Sequence, residues 1–90
     1  MLEGSVKVIN SLGLHARAAA QLVRLAGKFE SATTIARIDD PVPVDAKSML
    51  SVLTLAASAG TILKLNVSGE DETQAFDAIG ELFTSGFGEN

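Results

Sequence analysis

The chain has 90 residues, no cysteine, and 11 acidic against 7 basic side chains, a formal net charge of −4. That length bounds it to a single small domain, residues 1–90, with room for one site. The missing cysteines exclude a disulfide framework and thiol chemistry, and the acidic balance argues against general nucleic-acid binding, whose affinity comes from lysine and arginine on phosphates.

Ser5 to Ile9 is short, β-branched and alternating, the pattern of a strand, and Asn10-Ser11-Leu12-Gly13 is the turn out of it. From Ala16 to Ala26 there is neither proline nor glycine, and alanine, arginine, leucine and glutamine favour helix. Steps of about 100° per residue put Ala19, Leu22, Val23 and Ala26 on one face, with Arg17, Arg24 and Lys28 almost opposite. The small alanines allow close approach to a sheet. Gly27-Lys28 closes the helix, with Phe29 a core anchor just past it.

Thr33 to Ile38 is β-prone, and Asp39-Asp40-Pro41 is a turn signal before an extended piece around Val42 to Val44. Pro41 and Pro43 cannot donate to a central ladder, so this piece is predicted to be an edge strand or a loop. A short helix is predicted to begin near Ser48 and use the apolar run Met49 to Ala57, with strand the competing assignment; Ser48 reads as its N-cap. Ser58-Ala59-Gly60 ends that run. Thr61 to Ser68 then alternates, with Leu63, Leu65 and Val67 inward. Asp71 to Gln74 has a capping-box pattern, and Ala75, Phe76, Ile79, Leu82 and Phe83 recur at helical spacing. Ser85 to Asn90 is predicted to be a loose tail from which Phe87 docks. The order β-α-β-β-α-β-α, with helices needing one apolar cover, predicts a two-layer α/β sandwich with one sheet face solvated.

His15 stands where the first helix begins. The first N–H groups of a helix lack partners within it and the dipole there favours negative charge, so an anion is welcome at this point. Imidazole titrates near about 6.5 and can take a phosphoryl group and release it; Arg17 adds donors that match phosphate oxygens. On residue type alone, a solvated or capping histidine is the plainer alternative. Lys7, Arg17, Arg24, Lys28 and Arg37 lie in the first half and most acidic residues in the second, which suggests an acidic partner steered to a basic corner. The sequence has no GxxxxGK loop, no credible carboxylate pair and no His/Cys metal set, so neither a cofactor nor a metal is expected. No apolar run approaches the roughly 20 residues of a bilayer span, and Met1-Leu2-Glu3-Gly4-Ser5 lacks a basic or apolar leader, so a cytoplasmic protein without membrane insertion is expected.

Gly13-Leu14-His15-Ala16-Arg17, followed by small residues, resembles the phosphorylation-site signature of the HPr family, the histidine-containing phosphocarriers of the bacterial phosphotransferase system. The resemblance covers nearly the whole chain. Asp45-Ala46-Lys47-Ser48 is similar to the family's second phosphorylation site, and Gly69-Glu70-Asp71-Glu72 to the start of its last helix. Ala18 stands where many members have proline; it and the Gly86-Phe87-Gly88-Glu89 ending are similar to the regulatory, nitrogen-related branch.

The resemblance implies an open-faced sandwich of four antiparallel strands under three helices. It implies that His15 accepts a phosphoryl group on Nδ1 from phospho-enzyme I, ultimately from phosphoenolpyruvate, and passes it to an enzyme IIA-type protein in sugar uptake or its regulation. Arg17 and the backbone amides of Ala16 and Arg17 would stabilise it. Ser48 would be a regulatory phosphoserine made by an HPr kinase/phosphorylase. Ala20, Arg24, Met49, Leu50 and Leu53 would meet partners, although core packing is the plainer reading of the last three. Such a protein is a monomeric carrier, not an enzyme, with enzyme I supplying the catalysis. The alternative is a regulatory binding protein of the nitrogen-related branch whose phosphorylation state acts as a switch.

Overall fold

The computed structural model describes residues 1–89. Four strands, β1 (Leu2–Lys7), β2 (Ala32–Arg37), β3 (Asp40–Asp45) and β4 (Ile62–Ser68), form one antiparallel sheet in the order β1-β4-β2-β3. Three helices, α1 (Ala16–Gly27), α2 (Met49–Leu53) and α3 (Glu72–Thr84), complete the predicted two-layer arrangement. Alternation along β4 is the organising pattern, since Leu63, Leu65 and Val67 are all fully buried while Lys64 and Ser68 are exposed. The register sets Val6 and Gly4 of β1 beside Leu63 and Leu65, and Ile35 and Thr33 of β2 beside Leu65 and Val67, so that one face of the sheet is continuous.

Onto that face α1 lays Ala18, Ala19, Leu22 and Ala26, and α3 lays Ala75, Ile79 and Phe83. Gly4 is a point of close approach: a Cβ there would stand 2.6 Å from Cζ of Phe76, so a larger residue would require the Phe76 ring of α3 to shift. Phe29 is half-buried against the core, as its position after α1 predicts. The piece with both prolines is an edge strand, β3, which pairs only with β2.

Several boundaries differ from the sequence pattern. β1 starts at Leu2 and ends at Lys7; Val8 and Ile9 leave the strand, Val8 fully buried and Ile9 49% exposed, while Val8 N–H donates to Thr61 O at 2.9 Å. Ile38 likewise falls outside β2, in the tight turn to β3. α2 stops at Leu53, well short of Ala57, because Ala56 adopts a left-handed φ of +48° and turns the chain. Leu55 and Ala57 are still buried, but by the turn instead of by a helical face.

Asp71 makes no side-chain cap on α3. Its carboxylate instead accepts from the backbone N–H groups of Glu30 and Ser31, each at 2.9 Å, and from the Ser31 hydroxyl. Glu72 takes the local role, accepting from Gly69 N–H at 3.1 Å. The tail is not loose through Glu89. Gly86–Gly88 forms a 3₁₀ turn, Phe87 is buried, and its ring meets Phe83 edge-on with centroids 5.0 Å apart. The last residue of the predicted tail, Asn90, lies outside the described residues.

The Ser31 hydroxyl and the Glu30 amide hold the Asp71 carboxyl below its ordinary range. A carboxyl depressed on folding contributes stability above its unfolded value of about 3.9, and that contribution is lost as pH falls through the lower folded value. Asp71→Ala is therefore expected to lower the urea midpoint at neutral pH, with the gap from the parent closing as denaturation is repeated towards pH 2.

Candidate functional site

His15 is the N-cap of α1, with extended backbone (φ −78°, ψ −178°), and its ring Nδ1 accepts the Arg17 N–H at 3.2 Å. An amide can only donate, so Nδ1 carries the lone pair and the proton of the neutral ring sits on Nε2. That proton points at Glu89, whose Oε2 pairs with Nε2. The ring is partly open, its side chain 28% exposed, whereas Glu89 is 14% exposed. The ring nitrogen that carries the lone pair therefore lies at the N-terminus of a twelve-residue helix, where negative charge is stabilised.

The turn before the ring is tightly specified. Gly13 has φ +72°, and a Cβ on it would lie 2.7 Å from the Ala57 carbonyl oxygen. The next amide, Leu14 N–H, donates to that same oxygen at 2.8 Å. Buried Asn10 holds the turn from within: its Nδ2 donates to Gly13 O at 2.7 Å and to Glu89 Oε1 at 2.9 Å. Asn10 first, then His15, pull the Glu89 carboxyl below its ordinary range, with Arg17 adding a smaller Coulombic effect.

Arg17 is exposed beside this constellation, on the rim of a depression shared with Leu12, Gln21, Phe87, Gly88 and Glu89. Among the hydrogen bonds and ion pairs of the described residues none occupies its guanidinium, so it is available to an incoming anion. Ala16 is exposed and Ala20 half-buried on the same helix; Ala18 is fully buried against the core. Arg24 is exposed about two turns beyond Arg17, in a groove with Leu25, Lys28 and Leu82. Met49 packs partly on the core, but Leu50 is 78% exposed and Leu53 37%, so the core reading fails for Leu50. Ser48 is the N-cap of α2 and half-buried, its Oγ accepting Ser51 N–H at 3.4 Å.

Sequence reasoning did not single out Asn10 or Glu89 for this site. Glu89 lies 74 positions from His15, and no periodicity connects them. Asn10 carried a usable signal, since an asparagine three residues before a glycine is suited to hold a turn through its side chain. Among the described residues no group of three or more His, Cys, Asp or Glu side chains is arranged to hold a metal ion.

The family model described as the PTS HPr component phosphorylation site matches residues 2–85. The chain belongs to the HPr family. An HPr phosphocarrier protein of Xylella fastidiosa strain Temecula1 is 47% identical over 90 residues, covering 100% of this chain and 99% of that one. Its counterpart in Cupriavidus necator is 45% identical over 89 residues, covering 99% and 98%. The crystal structure of an HPr from Thermoanaerobacter tengcongensis superposes with a TM-score of 0.94 at 39% identity, covering 100% of this chain and 99% of that one. The chain is thus an HPr-type phosphocarrier of the phosphotransferase system, and the four-stranded sheet with three helices is the HPr fold. The family match stops before Glu89, so the carboxylate on the histidine comes from beyond the matched region.

Because Gly13 combines a left-handed φ with contact against the Ala57 carbonyl, Gly13→Ala is expected to cost at least about 1–2 kcal/mol of stability. Urea denaturation measures the loss, and the His15 ring resonances in an NMR spectrum should shift with it.

Proposed function

We propose that His15 receives a phosphoryl group on Nδ1 from phospho-enzyme I and delivers it to a histidine of an enzyme IIA-type protein. The observation that carries this reading is the Nδ1 lone pair lying on the Arg17 amide at the start of α1. As Nδ1 attacks phosphorus, the P–N bond to the donor breaks and its electron pair returns to the donor ring. Charge on the equatorial oxygens is met by the Ala16 and Arg17 N–H groups and by the Arg17 guanidinium, so positioning and electrostatics suffice. The chain acts as a carried substrate, and enzyme I supplies the catalysis.

The partner surface in this reading surrounds the ring: Ala20 and Arg24 along α1, and Met49, Leu50 and Leu53 on α2. The exposure of Leu50 supports it, because so open a leucine contributes nothing to the core. Arg17 and Arg24 give the patch positive charge within a protein of net charge −4, which steers an acidic partner to it. Ser48 is the regulatory acceptor in the same reading: a phosphate there would draw Oγ off the Ser51 amide and set a dianion next to Met49 and Leu50, against the docking partner. Ala18 and the Gly86-Phe87-Gly88-Glu89 ending, similar to the regulatory, nitrogen-related branch, favour that branch as the second reading beside sugar uptake.

Incubation with enzyme I and phosphoenolpyruvate should add the mass of one phosphate to the parent chain and none to His15→Ala, whose fold should be unchanged by circular dichroism. An acid-labile phosphate persisting on His15→Ala would overturn the assignment. Arg17→Ala keeps the nucleophile but loses charge-assisted hydrogen bonds, and transfer is expected to slow about 10- to 100-fold in rapid-quench kinetics.

A further inference from the structure

We propose that Glu89 is a positioning residue for phosphoryl transfer, a tail carboxylate that holds the Nε2 proton of His15 and compensates the positive charge the ring gains when Nδ1 is phosphorylated. The proposal rests on His15 being the acceptor and adds a group that the family match, ending at residue 85, does not contain.

The geometry is that of a carboxylate oriented on one nitrogen of an imidazole while the other nitrogen does chemistry. Oε2 of Glu89 pairs with Nε2, and Oε1 is fixed by Asn10 Nδ2 at 2.9 Å, so both carboxylate oxygens are committed. Asn10 is itself fully buried and tied to Gly13 O, which makes the anchor part of the same turn that presents the ring. The tail is brought there by packing: Phe87 is buried against Phe83, and Gln21 Nε2 donates to Phe87 O at 3.3 Å. Gly86 and Gly88, at φ +63° and +72°, supply the left-handed turns that fold it back.

The consequence follows from the electrons. A neutral ring with its proton on Nε2 attacks through Nδ1, so the new P–N bond leaves an N-phosphorylated ring that is cationic while it keeps that proton. With a carboxylate on Nε2 the cation is paired and the proton stays. On onward transfer the P–N electron pair returns to Nδ1, and the leaving group is neutral imidazole. Without the carboxylate the proton is lost to water more readily, and transfer must then expel an imidazolate, a far poorer leaving group. The charged groups facing the ring among the described residues are Glu89 from the tail and Arg17 from α1, which oppose one another in sign. Glu89 is in direct contact while the Arg17 guanidinium is exposed, so the carboxylate dominates.

The test compares the parent with Glu89→Gln and Glu89→Asp, each phosphorylated by enzyme I and phosphoenolpyruvate. Glutamine keeps size and a hydrogen-bond acceptor but removes the charge; aspartate restores the charge. Glu89→Gln is expected to slow transfer about tenfold at neutral pH and to move the acid limb of phosphohistidine hydrolysis about one pH unit lower, with Glu89→Asp recovering part of both. A tail that merely clamps the fold would lower the urea midpoint of Glu89→Gln and leave the hydrolysis profile in place, and that result would overturn the proposal. If the parent itself takes no phosphate on His15, the acceptor assignment fails; if the parent and Glu89→Gln share one rate and one profile, only the role of Glu89 fails.

Discussion

The structure turns on one contact, a helix amide donating to a ring nitrogen. A histidine at an N-cap can present either nitrogen, and the Arg17 N–H selects Nδ1 by donating to its lone pair. In the proposed transfer that unprotonated nitrogen, lying at the N-terminus of α1, is the nucleophile, and it sits where the charge of its product is best stabilised. The remaining requirements concern holding the ring there: a left-handed glycine, a buried asparagine and the Ala57 carbonyl, drawn from two distant parts of the chain.

These constraints explain why α2 is so short. A helix continuing to Ala57 would take a different path from the one that brings the Ala57 carbonyl to the Leu14 amide. The turn at Ala56 instead delivers that carbonyl to the loop that carries the histidine, at the cost of a left-handed φ in a non-glycine residue. The apolar run Met49 to Ala57 gave no sign of this, since Leu55 and Ala57 are buried whichever way the chain turns. Helical spacing there was a reliable guide to what is apolar and a poor guide to where the helix stops.

Other parts of the fold were legible because a local rule had no competitor. The strict alternation of Leu63, Leu65 and Val67, the alanine face of α1 and the two prolines of the edge strand each have one physical solution. At the candidate site, the glycine turn, the histidine and the arginine could be read because they adjoin a helix start. Glu89 could not, because its approach depends on Phe87 finding Phe83 and on glycines that permit the reversal, and such a long-range meeting leaves no period in the sequence. Asp71 shows the same limit in reverse: a residue with every mark of a cap spends its carboxylate on Glu30 and Ser31, across a gap between two elements.

A carrier differs from an enzyme in needing a bound group that is neither lost to water nor held too well. In the proposed transfer the two edges of one imidazole divide that task. At Nδ1, amides and a guanidinium stabilise the phosphoryl oxygens and so favour loading. At Nε2, a carboxylate keeps the ring protonated and so favours release. The ring lies between the carboxylate and the dianion, which separates like charges that would repel if both sat at Nδ1. Moving the balance therefore needs no change in the phosphate-binding amides; it needs only a change in how firmly the tail is docked. Phe87 and Asn10, which never touch the phosphoryl group, then become determinants of how long it stays.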